Sequence, residues 1–344
     1  MIKKILITGG CGFVGSNLCI FLKKKGFDVT SLDNFYRRGS KLNYQRLKKF
    51  KIDNLKVDIS KFNSIINIKN KYDLVIDCCA EPSVEKSKNS ILEAKRVFET
   101  NLSGTFNIVT KCIKDKSKII FLSTSRVYSI SSLKKIRKSI KKKNKITEIG
   151  INFCTNDNKS LYGFTKLASE NLIKEFNYSN GLIYLINRIG VIAGPWQFGK
   201  VDQGFISLWS WSHLTNKVLK YIGFNGSGRQ VRDIVHIDDI CDLIFLQIIN
   251  IKKINNKTLS FGGGKKNLVN LNMLTKKFSI ISGKSLKIEK VFKTSIFDIP
   301  YFVASNQQIT KLYNWKPKRS INDIILDVYS WQKTNEQILK KYFV

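Results

Sequence analysis

The chain has 344 residues, enough to bury a large core as one α/β unit or two tightly joined domains. Apolar residues make up 43%, which excludes disorder, collagen and low-complexity scaffolds, and no apolar run nears the roughly 20 residues that span a bilayer. The formal net charge is +35, yet fifty of the sixty basic residues are lysine spread along the whole chain. A nucleic-acid reader clusters its charge and favours Arg, so the excess reads as compositional background, with an anionic partner as the alternative.

The opening Met1–Ile7 begins like a signal peptide, but its apolar run is too short and passes straight into Thr8-Gly9-Gly10. Strands are expected at Ile5–Thr8, Phe27–Leu32, Leu55–Val57, Leu74–Cys79, Ile119–Ser123 and Ile183–Ile186. Helical spacing covers Gly15–Lys25 and runs throughout Ile91–Lys114. Continuous apolar strands alternating with helices indicate a doubly wound parallel sheet covered on both faces. After about residue 190 the pattern loosens, which implies a smaller interleaved substrate-binding region. The expected division is 1–189, with a returning segment near 230–260, and 190–344. The lysines from Lys134-Lys135 to Lys141-Lys142-Lys143 and Lys145 read as a solvated surface insertion.

Seven cysteines without a CxxC pair, including the vicinal Cys78-Cys79, supply neither a disulfide framework nor zinc spacing. With His213 and His236 the only histidines, a His-based metal cage is not expected. A reducing cytoplasm is the expected setting.

The turn Thr8-Gly9-Gly10-Cys11-Gly12-Phe13-Val14-Gly15 satisfies GxGxxG and GxxGxxG. Either pattern alone is weak; between a first strand and a helix it is the context of a Rossmann-type dinucleotide site. Its glycines let backbone approach a pyrophosphate at the positive end of the helix. Asp33 closes the second strand, where a carboxylate accepts from ribose hydroxyls and repels a 2′-phosphate. NAD is therefore expected over NADP, with Arg37 and Arg38 as the residues that would offset the repulsion.

Tyr162 and Lys166 stand at i and i+4, on one helix face, and Ser123-Thr124-Ser125 ends a strand at the carboxyl edge of the sheet. A phenol titrates near pH 10, and bringing that to neutrality takes about 4 kcal/mol. One positive charge about 4 Å away supplies that much at an effective dielectric near 20, and Lys166 or an oxidised nicotinamide would provide it.

These motifs, with Asp58-Ile59, Ala80, Asn101-Leu102-Ser103-Gly104-Thr105, Val127-Tyr128, Gly194-Pro195 and Arg232-Asp233-Ile234-Val235-His236, resemble the nucleotide-sugar epimerase/dehydratase family of extended short-chain dehydrogenase/reductases. The resemblance covers nearly the whole chain. It implies Thr124, Tyr162 and Lys166 as the catalytic triad. It implies a cofactor site of Gly9, Gly12, Phe13, Val14, Gly15, Asp33, Asn34, Asp58, Ile59, Ala80 and Asn101, shared with Tyr162 and Lys166. Arg232 would grip a substrate pyrophosphate, as its forked permanent charge suits. A homodimer or homotetramer through the Ile91–Lys114 and Tyr162–Phe176 helices is implied as well, without a specific nucleic acid or membrane partner.

Family members that eliminate water carry Asp-Glu, or at least Glu, after the threonine; here Ser125 and Arg126 follow, which leaves oxidation and re-reduction at one carbon. Gln197-Phe198 with Asp202-Gln203-Gly204 resembles the substrate loop of the family's 2-epimerases, which makes Gln197 and Gln203 substrate candidates. A 4-epimerase or reductase is the alternative within the family. An NAD-sensing or RNA-binding protein on the same fold is the alternative outside it, disfavoured by the Tyr162–Lys166 pair. Pro300-Tyr301 stands where relatives carry an arginine that supports the pyrophosphate.

Overall fold

The computed structural model describes every residue except Met1, Lys86, Ser87, Asn89, Asn144, Lys145, Asp202 and Val344. Asp202 of the proposed substrate loop and Lys145 of the lysine cluster thus lie outside the described residues. The strands of the first half are β1 (Lys4–Thr8), β2 (Asp28–Leu32), β3 (Asn54–Leu55), β4 (Leu74–Asp77), β5 (Lys118–Thr124) and β6 (Tyr184–Ile189). Next come β7 (Val191–Ala193), β8 (Leu219–Ile222), β9 (Val231–His236) and β10 (Lys257–Phe261). The last are β11 (Leu268–Val269), β12 (Ile288–Val291) and β13 (Tyr301–Phe302).

Seven of these form one sheet in the order β10-β6-β5-β4-β1-β2-β3. The pairs β1/β2, β1/β4, β2/β3 and β4/β5 are parallel. The chain leaves β1 toward β2 on one side and returns to β4 on the other. That reversal opens a crevice at the carboxyl ends of β1 and β4, the usual place for a ligand in such sheets. Strands and helices meet in a core that includes Leu6, Val75, Ile119, Phe121, Ile108 and Ile173, all buried. Each such side chain contributes about 1.5–3 kcal/mol on removal from water.

By its internal packing the chain divides into two units. One contains residues 1–127, 160–188 and 240–259, the other 128–159, 189–239 and 260–344. The second unit pairs β9 with β7, β11 and β13, and β8 with β12. Trp209, Tyr221, Ile234, Phe278 and Ile324 belong to its own core. Among the described residues no helix is long and apolar enough to cross a membrane.

Three local expectations change. The strand expected at Leu55–Val57 is confined to Asn54–Leu55, and the one expected to reach Cys79 stops at Asp77. There the Asp77 carboxylate accepts from Cys79 N–H at 3.2 Å and turns the chain out of the sheet. The helical run from Ile91 is interrupted by a π turn at Glu99–Ser103 before continuing as Gly104–Asp115. The lysine cluster lies on a regular helix, Ile130–Lys143, which buries Leu133 and exposes Lys134, Lys135 and Lys138.

Candidate active site

The glycine turn has the geometry its residues require. Gly9 adopts φ +60°, and a Cβ there would lie 3.0 Å from Cys79 Cα. At Gly15 a Cβ would approach the Gly9 carbonyl oxygen to 2.2 Å, so the helix Phe13–Lys24 rests directly on the turn. That helix begins at Gly12 with no side-chain cap and no acid in its first turn. Its first N–H groups are thus left for an anion. Phe13 and Val14 are half-buried in the first turn and Gly15 is buried.

A cleft opens over this turn. Gly9, Gly12, Asp33, Asn34, Asp58, Ile59 and Ala80 all line it. Asp33 accepts N–H groups from Phe35 at 2.8 Å and Cys11 at 3.2 Å. Burial pushes its carboxyl above the ordinary range, against those bonds and Arg37. Asn34 donates to Asp58 at 2.8 Å. Burial works upward on Asp58 too, but bonds from Ser60 and Asn34 and the Lys61 charge hold it below the usual value. A backbone cradle without side chains, an open helix start and a carboxylate at the end of β2 fit a dinucleotide.

Several lining residues escaped sequence reasoning. Glu81 is 4% exposed, with Arg37 at 3.5 Å and Arg96 at 3.9 Å. The Arg96 guanidinium lies over the Tyr36 ring. The signal was there in part: Glu81 directly follows Ala80 at a strand's carboxyl edge. Asn101, on the π turn, does not line the cavity. Its amide accepts from Glu81 N–H at 2.8 Å and donates to the Glu81 carbonyl at 3.1 Å and Thr165 at 3.1 Å. It thereby fixes the loop after β4 against the next helix.

That helix, Leu161–Asn180, is capped by Ser160, whose hydroxyl accepts from Gly163 N–H at 3.2 Å. It carries Tyr162 and Lys166 to the end of β5, where the Thr124 hydroxyl acts on the Tyr162 phenol. Burial pushes the phenol above its ordinary value; Thr124, Arg126 and Arg37 pull it down. Arg126 and Arg37 are the leading cations on the phenol. Lys166 is 2% exposed and its Nζ lies 3.8 Å from the Phe121 ring centroid. Burial holds its ammonium below the ordinary lysine value, opposed by Asp77 first and then by Cys79, Cys78 and Glu170. Glu170 is buried one turn further along. It accepts from Arg188 Nε at 3.0 Å, Arg188 Nη2 at 2.7 Å and Ser123 Oγ at 2.5 Å.

The remaining candidates belong to the second unit. Arg232 donates to the Ile299 carbonyl at 2.6 Å and the Val231 carbonyl at 2.8 Å, with Asp298 at 3.8 Å. Asp233 instead accepts from Gly264 and Ala304 N–H groups, and burial pushes it up to about 6. Gln197 donates to the Ile192 carbonyl at 3.1 Å, while Gln203 pairs through its backbone with Lys200.

A side-chain-free turn at a helix start, with a tyrosine, a threonine and a lysine at the end of β5, fits a dinucleotide-dependent enzyme on a doubly wound sheet. Residues 5–260 match the model of the NAD dependent epimerase/dehydratase family, and the chain belongs to that family, whose cofactor is NAD. It is 28% identical over 336 residues to CDP-paratose 2-epimerase of Salmonella typhi, covering 95% of this chain and 98% of that one. It is also 28% identical over 346 residues to UDP-glucuronate 4-epimerase of Thermodesulfobacterium geofontis, covering 97% and 98%. The UDP-glucuronic acid 4-epimerase of Bacillus cereus, solved with UDP-glucuronic acid and NAD, has the same fold. Its TM-score is 0.81 at 24% identity, over 96% of this chain and 99% of that chain.

Proposed function

We propose that the protein is an NAD-dependent epimerase of a nucleotide-activated sugar, of the CDP-paratose 2-epimerase kind, inverting C2 by transient oxidation and re-reduction. The observation that carries this reading is Thr124 acting on Tyr162 at the carboxyl end of β5, with Ser125 and Arg126 next in the chain and no carboxylate there. Elimination of water needs an acid and a base at that place; removal and return of one hydroxyl proton does not.

Gly9, Gly12, Phe13, Val14 and Gly15 are assigned the cofactor's pyrophosphate, Asp33 and Asn34 its adenosine ribose, and Asp58 and Ile59 its adenine. Ala80, Tyr162 and Lys166 complete that site, with Asn101 holding the loop behind it. NAD, when bound, supplies hydride acceptance and return at the same carbon. The Tyr162 phenolate takes the proton from the sugar's C2 hydroxyl, and the resulting phenol returns it. Thr124 donates a hydrogen bond to the oxygen as its charge changes, and Lys166 supports the tyrosine electrostatically. Arg232 is assigned the substrate diphosphate and Gln197 and Gln203 the sugar. The working form is proposed to be a homodimer or homotetramer, without a specific nucleic-acid partner.

The 4-epimerase relative matches at the same identity, so C4 chemistry is the reading to separate. A panel of CDP-, UDP-, GDP- and dTDP-sugars, with NMR readout of the C2 and C4 configurations, does so. Inversion at C2 of a CDP-sugar is expected; inversion at C4 alone overturns the choice of carbon.

A further inference from the structure

A buried ammonium is costly without a counter-charge, and Lys166 is among the largest fully buried side chains of the chain. Its Nζ sits over Phe121. Phe121 is the register partner of Asp77 across the parallel β4–β5 ladder. Register partners point to the same sheet face, so the Asp77 carboxylate stands beside the ring that Lys166 covers. Asp77 is 0% exposed. Its nearer partners are all uncharged donors: Thr8 Oγ1 at 2.5 Å, Cys79 N–H at 3.2 Å and Thr105 Oγ1 at 3.4 Å. No motif of the sequence includes this acid.

We propose that the Asp77 carboxylate is a positioning residue, the buried counter-charge that keeps Lys166 an ammonium and holds it over Phe121. The significance of a charged Lys166 rests on the epimerase reading; the pairing itself does not.

The other titratable groups that face Lys166 are weaker candidates. Burial pushes the thiols of Cys78 and Cys79 far above their ordinary range, so they stay neutral. Glu170, on the same helix, is already engaged by Arg188 of β6 and Ser123 of β5. Burial likewise raises the Tyr162 phenol one turn before Lys166. The helix Gly104–Asp115 contributes Thr105 and the buried thiol of Cys112, itself held neutral by burial. Of the groups opposing the burial of Lys166, Asp77 acts most strongly.

The test uses the full chain without substrate. The Lys166 ¹³Cε resonance, assigned as the signal missing from a Lys166→Gln variant, is followed against pH in the wild type and in Asp77→Asn. The amide keeps its oxygen for Thr8 and Cys79, turns its NH2 to the Thr105 hydroxyl in place of the second acceptor, and removes the charge. Loss of a negative neighbour destabilises the ammonium, so the midpoint should fall by about one pH unit, a tenfold smaller ammonium-to-amine ratio at any given pH. Asp77→Glu should restore most of it. An Asp77→Asn midpoint equal to the wild-type one overturns the pairing. If Asp77→Asn does not fold, the wild-type Asp77 ¹³Cγ signal decides. A step at the pH where Lys166 titrates supports the pairing, and a flat signal there overturns it. Neither readout needs turnover, so the outcome is separate from that of the sugar panel.

Discussion

On the phenol of Tyr162 opposing influences meet, and the balance gives pH dependence a definite sign. Burial raises it; the Thr124 hydroxyl and the Arg126 and Arg37 guanidiniums lower it. The proposed reaction uses the phenolate, so kcat/KM should rise with pH until the phenol has titrated. Arg126→Ala removes one of the cations and should move that rise to higher pH, whereas Arg126→Lys should leave it near the wild-type position. A pH–rate profile unmoved in Arg126→Ala would mean that Arg126 does not set the phenol. Tyr162→Phe keeps the ring and removes the proton carrier. It should lower kcat by about 10²–10⁴-fold at an unchanged denaturation midpoint, read by initial rates and urea unfolding.

At the scale of the element, the helix Leu161–Asn180 is what brings these groups to the strand end, and its register depends on Glu170. That carboxylate is 0% exposed and bound by Arg188 and Ser123. Glu170→Ala removes the buried carboxylate that Arg188 and Ser123 bind, which should cost about 3–5 kcal/mol in urea unfolding. A loss under about 1 kcal/mol would mean the pair is relieved by water. The two i, i+4 residues of this helix were legible in the sequence because helical spacing alone puts them on one face. Glu170, Arg188 and Asp77 were not. Their role depends on which strands lie side by side, and no local pattern encodes that Asp77 stands opposite Phe121. The π turn at Glu99–Ser103 was equally hidden, since one widened turn hardly disturbs apolar spacing. Strand ends shifted by one or two residues where a side chain captured the backbone, as Asp77 captures Cys79.

Over the whole molecule, the doubly wound sheet and its cofactor cradle were readable, because the steric demands of Gly9 and Gly15 are local and the apolar strands continuous. The looser residues after 190 were not, since their strands pair across long separations, as β9 does with β13. The +35 charge finds no concentrated role in the first unit: its cavity has Glu81 beside Arg37 and Arg96, and charge there is largely balanced. Apolar surface is more telling. Ile91 is 88% exposed, Leu92 78% and Phe164 49%, on the two helices proposed to bind a second copy. Sedimentation should find a dimer or larger, and an Ile91→Asp, Phe164→Asp variant should shift it to monomer; a monomeric wild type would contradict that assembly.

In the proposed reaction one carbon is oxidised and re-reduced by hydride, and Tyr162 moves only a hydroxyl proton. Turnover of CDP-paratose in deuterated water, followed by NMR, should then give inversion at C2 with no deuterium on that carbon; deuterium appearing at C2 would show deprotonation at carbon and rule the hydride route out.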